Sequence, residues 1–152
     1  MTIAVILAGR SGGGQGAGAL GATVHSAAGA DKVGAVISML TEKRIGAVPV
    51  VDDGGVVGIF SERDVIHCLT SHGAAALDLN VRDVMTSPVI SITPDTGIMA
   101  ALSLMTRRRI RHLPVMEGGA LLGFVSIGDL VKHRIEVIES EAAAMRDYIA
   151  GS

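Results

Sequence analysis

Residues 45–67 read IGAVPVVDDGGVVGIFSERDVIH, and residues 110–132 read IRHLPVMEGGALLGFVSIGDLVK, 65 positions later in the same chain. Extended backwards to 33–66 and 98–131, the two copies share 11 identities over 34 positions without a gap. The identities are Ala35, Ser38, Thr41, Arg44, Ile45, Pro49, Val50, Gly54, Gly58, Ser61 and Asp64, each repeated 65 residues later. A duplicated unit of this size rarely buries its apolar face alone, so we expect the copies to pack together. The cleft between them is the first candidate for a functional site.

The composition predicts an aliphatic core. The chain has 152 residues, 49% hydrophobic but only 2% aromatic, so Val, Ile, Leu, Ala and Met must form that core. No apolar stretch reaches the ~18 residues of a membrane span, and the start, MTIAVILAG, lacks the basic region of a signal peptide. We therefore expect a cytoplasmic protein. The single Cys68 excludes an internal disulfide and a cysteine-rich zinc site.

Each copy predicts the order helix, strand, strand, helix. Apolar residues recur at helical spacing over 33–40 and 98–105. Two short apolar runs then flank a turn rich in Asp and Gly, which is typical of a β-hairpin. The expected strands are 47–51 and 56–60 in the first copy, and 112–116 and 121–125 in the second. A short extra strand is expected before each copy, at Thr23–Ser26 and Val89–Ile92.

We divide the chain into repeat 1 (residues 1–71), a linker (72–80), repeat 2 (81–134) and a C-terminal helix (135–152). A glycine-rich insertion at about 9–22 separates the first apolar segment from the rest of repeat 1. Part of it, GAGALG at 16–21, fits a dinucleotide-binding fingerprint, but no long helix and no large parallel sheet can follow it. In the last segment, Ile135, Ile138, Ala142, Met145 and Ile149 lie along one side of the helix. That side either supports dimerisation or covers the protein's own surface.

Three features carry a resemblance to a known family. They are the apolar-Pro-apolar strand, the Asp/Gly hairpin and the motif Gly-x-x-Ser-x-x-Asp, present as GIFSERD at 58–64 and GFVSIGD at 123–129. With both copies at a fixed spacing, the chain resembles a tandem pair of cystathionine-β-synthase (CBS) domains, or Bateman module, from about residue 23 to 132. The resemblance implies an α+β or α/β fold. It consists of two β-α-β-β-α repeats packed as a pseudo-two-fold pair, here followed by a C-terminal helix.

The Ser-x-x-Asp motif can also be interpreted chemically, without reference to the family. A serine at a helix N-cap places a hydroxyl beside backbone N–H groups, and the helix dipole favours phosphate there. An Asp three residues later lies on the same side of the helix. Its carboxylate can accept two hydrogen bonds from a ribose diol. The alternative is that Ser61 and Ser126 only cap their helices.

The resemblance implies ligand-binding residues in both repeats. For the main site, in repeat 2, the expected residues are Asp129, Ser126, Arg111, His112, Pro114, Val89, Ile90 and Ser91. In this set Arg111 and His112 contact phosphate, and an adenine lies beside Val89–Ile92. For a second site, in repeat 1, they are Asp64, Ser61, Arg63, Pro49 and Val24. Repeat 1 has Gly46-Ala47 where repeat 2 has Arg111-His112, so the second site is expected to be weaker, empty or suited to a larger adenine compound.

The function implied is sensing of an adenine nucleotide, with AMP as the first choice and ATP, ADP or NAD(H) as alternatives. A CBS pair would act as a homodimer, through its helices, on a regulated partner. The competing interpretation is a dimeric structural or adaptor protein with vestigial clefts. We expect no enzyme activity, no metal site, no membrane association and no nucleic-acid binding. The net charge is −2, and the four arginines between 107 and 111 have no interleaved aromatic side chain.

Overall fold

The computed structural model describes residues 1–8 and 24–151, in which six α-helices surround two β-hairpins. In chain order the elements are α1 (Ile3–Ala8), α2 (Val33–Lys43), β1 (Ala47–Asp52), β2 (Gly55–Ser61), α3 (Glu62–His72), a 3-10 helix (Gly73–Asp78), α4 (Val81–Val84), α5 (Ile98–Arg108), β3 (His112–Glu117), β4 (Ala120–Ser126) and α6 (Ile127–Ala150). The mixed α/β architecture and the final helix agree with the expected fold. The glycine-rich insertion, with its GAGALG segment, lies outside the described residues.

The two hairpins are superimposable in register, as the duplicated sequence predicts. Ala47 pairs with Ser61 in the first hairpin, and His112 pairs with Ser126 in the second. Both hairpins contain an irregularity after the fourth pair and close through a two-residue turn. The turn residues, Asp53-Gly54 and Gly118-Gly119, all have positive φ between 51° and 81°. Such turns match the twist of the flanking strands, which explains Gly and Asp at these positions.

The short strand expected before each helix is reduced to a single bridge. Ala27 exchanges two backbone hydrogen bonds with β1, and Ile92 exchanges two with β3, both in parallel orientation. The described residues of Thr23–Ser26 and the segment Val89–Ser91 form no strand. The prediction of a short strand before each copy was therefore wrong, although the chain forms a parallel bridge to each hairpin at or next to the expected segment.

The core consists of two apolar clusters, one in each repeat. Each cluster includes residues of a short helix that belongs, by its position in the sequence, to the other repeat. Ile3, Ile6 and Leu7 of α1 are buried with the core of repeat 2. Val81, at the start of α4, is buried with the core of repeat 1. Backbone bonds fix both helices: the amide of Ile3 donates to Thr96, and that of Val81 donates to Asp31, each at 2.9 Å. The two repeats are therefore joined by an exchange of short helices.

The last helix is continuous from the hairpin to the end of the described chain. It begins at the Ser126 cap and extends over 24 residues, so the boundary placed at 134/135 falls inside α6. Leu130 is fully buried, and α6 also contacts β4, α5 and α1. The one helix therefore connects the Ser126-Asp129 motif at its N-terminus to the exposed C-terminal side chains.

Candidate functional site

Both Ser-x-x-Asp motifs form complete capping boxes at the starts of α3 and α6. The Ser126 amide donates to Asp129 Oδ2 at 2.7 Å, and the Asp129 amide donates to Ser126 Oγ at 3.1 Å. The corresponding distances for Ser61 and Asp64 are 2.9 and 3.4 Å. The capping role predicted as the alternative is therefore present in both repeats. It also holds each carboxylate in a fixed orientation at a helix N-terminus.

Asp64 has a further hydrogen-bond partner besides its cap. The Thr86 hydroxyl donates to Asp64 Oδ1 at 2.8 Å, so both oxygens of Asp64 accept hydrogen bonds from the protein. Thr86 is brought there by backbone bonds between its own N–H and C=O groups and Ile59 of β2. Gly58 permits this approach, because a Cβ at that position would lie 3.0 Å from the Thr86 carbonyl oxygen and closer still to Met85.

A cavity of about 180 Å³ lies between the two repeats and includes the cap of repeat 2. Repeat 1 contributes the segment before its sheet, the end of α2 and the start of β1. Repeat 2 contributes one face of its hairpin and the start of α6. The lining residues are Val24, His25, Arg44, Ile45, Gly46, Ala47, His112, Phe124, Ser126 and Asp129. The site is thus composite, since neither repeat forms it alone.

His112 forms an aromatic wall of this cavity. Its ring stacks on Phe124 with centroids 5.6 Å apart and an interplanar angle of 13°. A Cβ on Gly46 would lie 3.4 Å from the imidazole, so glycine brings the backbone of repeat 1 against this ring. Burial lowers the pKa of His112 below its usual 6.5; Arg111 acts in the same direction, and the Asp129 and Glu62 carboxylates oppose it. His112 is consequently neutral near pH 7, where it offers a hydrogen bond and a stacking surface rather than a positive charge.

Arg44 is the arginine that lines this cavity. It follows α2 in the left-handed conformation (φ 54°), and its equivalent Arg109 follows α5 with φ 53°. Non-glycine residues seldom adopt this conformation. Both repeats nevertheless have arginine here, which indicates that the arginine side chain is needed at this position. Arg44, Ile45 and Gly46 also line a second, larger groove of about 630 Å³ between α2 and α3. The backbone around Arg44 therefore separates the inter-repeat cavity from an open apolar groove.

The residues predicted from sequence are distributed differently from their original grouping. Ser126, Asp129 and His112 from the expected main site line the cavity together with Val24, which was expected in the second site. The remaining residues lie outside this cavity: Arg111, Pro114, Val89, Ile90 and Ser91 in repeat 2, and Asp64, Ser61, Arg63 and Pro49 in repeat 1. Pro49 and Pro114 are buried within their strands, and Arg111 is exposed. Arg63 reaches the other repeat, where its guanidinium donates to the Arg109 carbonyl at 2.8 Å.

Sequence reasoning missed the contribution of repeat 1 to this cavity. His25, Arg44, Gly46 and Ala47 line it beside the cap of repeat 2, and Phe124 closes the hairpin side. One available signal was the identity of Arg44 with Arg109, which lies outside the capping motif. The sequence alone, however, does not place Arg44 of repeat 1 in the same cavity as Asp129 of repeat 2.

Within residues 1–8 and 24–151, no group of three or more His, Cys, Asp or Glu side chains could hold a metal ion. None of the helices in that same part of the chain is long and apolar enough to cross a membrane. Cys68 is buried in the core of repeat 1, where its thiol donates to the Val65 carbonyl.

Comparison with known proteins finds relatives that contain CBS domains. The chain is 34% identical over 126 residues to a mitochondrial CBS domain-containing protein of Arabidopsis thaliana, a match covering 80% of this chain and 61% of that relative. A CBS-domain containing protein of Agrobacterium tumefaciens has 34% identity and a TM-score of 0.78, covering 88% of this chain and 92% of the other. The protein CBSX2, solved in complex with AMP, has 25% identity and a TM-score of 0.65, with coverages of 74% and 88%.

The family model for the CBS domain matches residues 23–71 and 81–136, one match for each repeat. These two segments contain both hairpins and both capping boxes described above. The chain therefore belongs to the CBS domain family and contains two CBS domains in tandem.

Proposed function

We propose that this CBS pair is a regulatory protein that binds an adenine nucleotide, preferentially AMP, in the cavity between its repeats. The observation that carries the proposal is Asp129, a carboxylate oriented by a capping box at a helix N-terminus and lining a cavity that also contains an arginine. In this assignment Asp129 accepts the ribose hydroxyls, and Arg44 and the α6 dipole attract the phosphate. AMP is the ligand in the related CBSX2 structure, which supports the choice of nucleotide.

The adenine is assigned to the apolar side of the same cavity. Val24, Ala47 and the stacked pair His112–Phe124 provide flat or apolar surface there. Aromatic side chains stack favourably on a purine, and a neutral imidazole avoids the cost of burying a charge. This assignment moves His112 from the phosphate, where the family resemblance put it, to the base or ribose.

A second site is proposed at the pseudo-equivalent position. The residues that correspond to this lining 65 positions away include Val89, Ile90 and Arg111 in repeat 2 and Ser61 and Asp64 in repeat 1, and the hydrogen bond from Arg63 to the Arg109 carbonyl links the two repeats. Ser91 extends the same segment. We expect this site to be weak, because Thr86 donates a hydrogen bond to one oxygen of Asp64 and because Ala47 and Ile59 stand where repeat 2 has His112 and Phe124.

Regulation is proposed to pass through the segment Arg44–Gly46. Because these residues line both the cavity and the groove between α2 and α3, movement of Arg44 toward a phosphate would change the groove. A ligand shifts an equilibrium between two states only if it binds them with different affinities. A partner that binds the groove in only one of these states would then respond to the ligand. We propose that the protein is a cytoplasmic homodimer without enzyme activity, whose output is binding to a regulated partner.

Isothermal titration calorimetry with AMP tests this proposal. We expect saturable binding with one strong site per chain, weakened at least tenfold in Asp129→Asn, which keeps one oxygen for the cap but loses the charge. The matched control, Asp64→Asn, should leave the strong site unchanged. Arg44→Ala should weaken AMP more than adenosine, and equal losses would contradict the phosphate assignment. Absence of binding to AMP, ADP, ATP and NAD(H) would favour the adaptor with vestigial clefts.

A further inference from the structure

The C-terminal part of α6 presents an apolar stripe on its exposed side. The helix is about 36 Å long at 1.5 Å per residue, and half-buried His133 and Val137 mark the side that faces its own chain. The stripe consists of Val131, Ile135, Ile138, Ala142, Met145 and Ile149. Its five larger side chains are 44% to 65% exposed. The alternative interpretation, in which the tail covers its own surface with these residues, does not hold.

The stripe has the spacing of a coiled-coil seam. Its members follow one another at intervals of 4, 3, 4, 3 and 4 residues, the alternation of a and d positions in a heptad. Val131, Ile138 and Met145 take the d positions, and Ile135, Ala142 and Ile149 take the a positions. A helix with such a stripe is complementary to a second copy of itself, because each a or d side chain fits a hole formed by the facing helix.

The charges beside the seam distinguish between the two orientations of such a pair. Arg134 and Glu141 lie at g positions, and Lys132, Glu139 and Arg146 lie at e positions. In a parallel pair each g residue faces the e residue five positions later on the partner. The facing pairs are then Arg134 with Glu139 and Glu141 with Arg146, each formed twice by symmetry.

An antiparallel pair of the same stripe brings together like charges. When Val131 of one helix lies opposite Ile149 of the other, Glu139 faces Glu139, Glu141 faces Glu141, and Lys132 faces Arg146. Like charges across a seam oppose pairing and are a means of excluding one orientation. The charges therefore favour the parallel arrangement over this antiparallel one.

We infer that α6 pairs with α6 of a second copy of this chain as a parallel, in-register, two-stranded coiled coil along this stripe. This inference rests on the proposed homodimer and adds its contact surface and orientation. It does not depend on nucleotide binding. Ser126 and Asp129 lie at the start of α6, so in the parallel pair the inter-repeat cavities of the two chains lie at the same end of the paired helices.

Sedimentation equilibrium of the full chain without nucleotide tests the contact surface. We expect the mass of a dimer, and we expect Ile138→Glu to raise the dissociation constant about a hundredfold or more, since it removes an apolar layer from both helices. The matched control is Glu136→Gln, a change on the same helix outside the stripe, which should leave the mass unchanged. Circular dichroism of both variants checks that the CBS pair remains folded.

Oxidative crosslinking tests the orientation. In a parallel pair, Ile149→Cys places two thiols side by side, whereas the antiparallel pair separates them by about 27 Å. We expect a disulfide-linked dimer for Ile149→Cys but not for Asp147→Cys, on the outer face, nor for the wild type, whose Cys68 is buried.

The outcomes separate this inference from the proposals on which it rests. A dimer that survives Ile138→Glu would overturn the α6 contact and leave the homodimer intact. Crosslinks that form only between Val131→Cys and Ile149→Cys chains would overturn the parallel orientation. A monomeric wild type would overturn both the homodimer and the coiled coil, while the calorimetric test of AMP binding would remain unaffected.

Discussion

Repeat 1 and repeat 2 share the same hairpin and helix-cap structure but differ at the positions that face the inter-repeat cleft. Their hairpins share a register, an irregularity and a two-residue turn, and α3 and α6 begin with the same capping box. At the cleft, repeat 2 presents His112 and Phe124 where repeat 1 has Ala47 and Ile59. The identities between the copies thus preserve turns and caps, while the differences alter the surface that a ligand would contact.

The largest effect concerns the helix exchange, because α1 belongs to the core of repeat 2. Leu7 is fully buried there, so Leu7→Ala should lower the free energy of unfolding by about 3 kcal/mol. Hydrogen exchange should show greater loss of protection in β3 and β4 than in β1 and β2. Val5→Ala, on the exposed side of α1, is the matched control and should cost little. Greater loss in β1 and β2 would contradict this assignment of α1.

A smaller effect concerns the two carboxylates. Thr86→Val removes the hydroxyl that donates to Asp64 and should lower the free energy of unfolding by about 0.5–1 kcal/mol. It also releases Asp64 Oδ1 for a ribose, so we expect a second AMP per chain to bind more tightly in this variant. Calorimetric stoichiometry measures the change. An unaltered second binding step would show that the Thr86 contact is not what weakens repeat 1.

The smallest effect is the dependence of stability on pH. Burial lowers the pKa of His112 in the folded chain, so the unfolded chain takes up more protons below its ordinary pKa of 6.5. The contribution of neutral His112 to stability is therefore present above pH 6.5 and decreases as the pH falls below 6.5. Urea unfolding across this range should show a shallower decline for His112→Gln than for the wild type. His67→Gln, an exposed histidine on α3, is the control, and an identical decline in all three proteins would refute the assignment.

The candidate site shows how far the sequence alone could be interpreted. The capping motif identified Ser126 and Asp129, and the difference between the copies identified His112; all three line the cavity. Arg111 was expected beside them from the family resemblance, and among the described residues the arginine that lines the cavity is Arg44 of the other repeat. Proximity along the chain does not predict which residues of repeat 1 share a cavity with residues of repeat 2, because this depends on how the two repeats pack.

The sequence by itself determined the elements that depend on local interactions. Hairpin turns at Asp53-Gly54 and Gly118-Gly119, helix caps at Ser61 and Ser126, and the exposed stripe of α6 all follow from residues close together in the chain. Only the tertiary structure decided the exchange of α1 and α4 between the cores and the composite lining of the cavity. These depend on which apolar surfaces bury each other most completely, and short apolar segments such as IAVIL at 3–7 fit either core until the whole chain is packed.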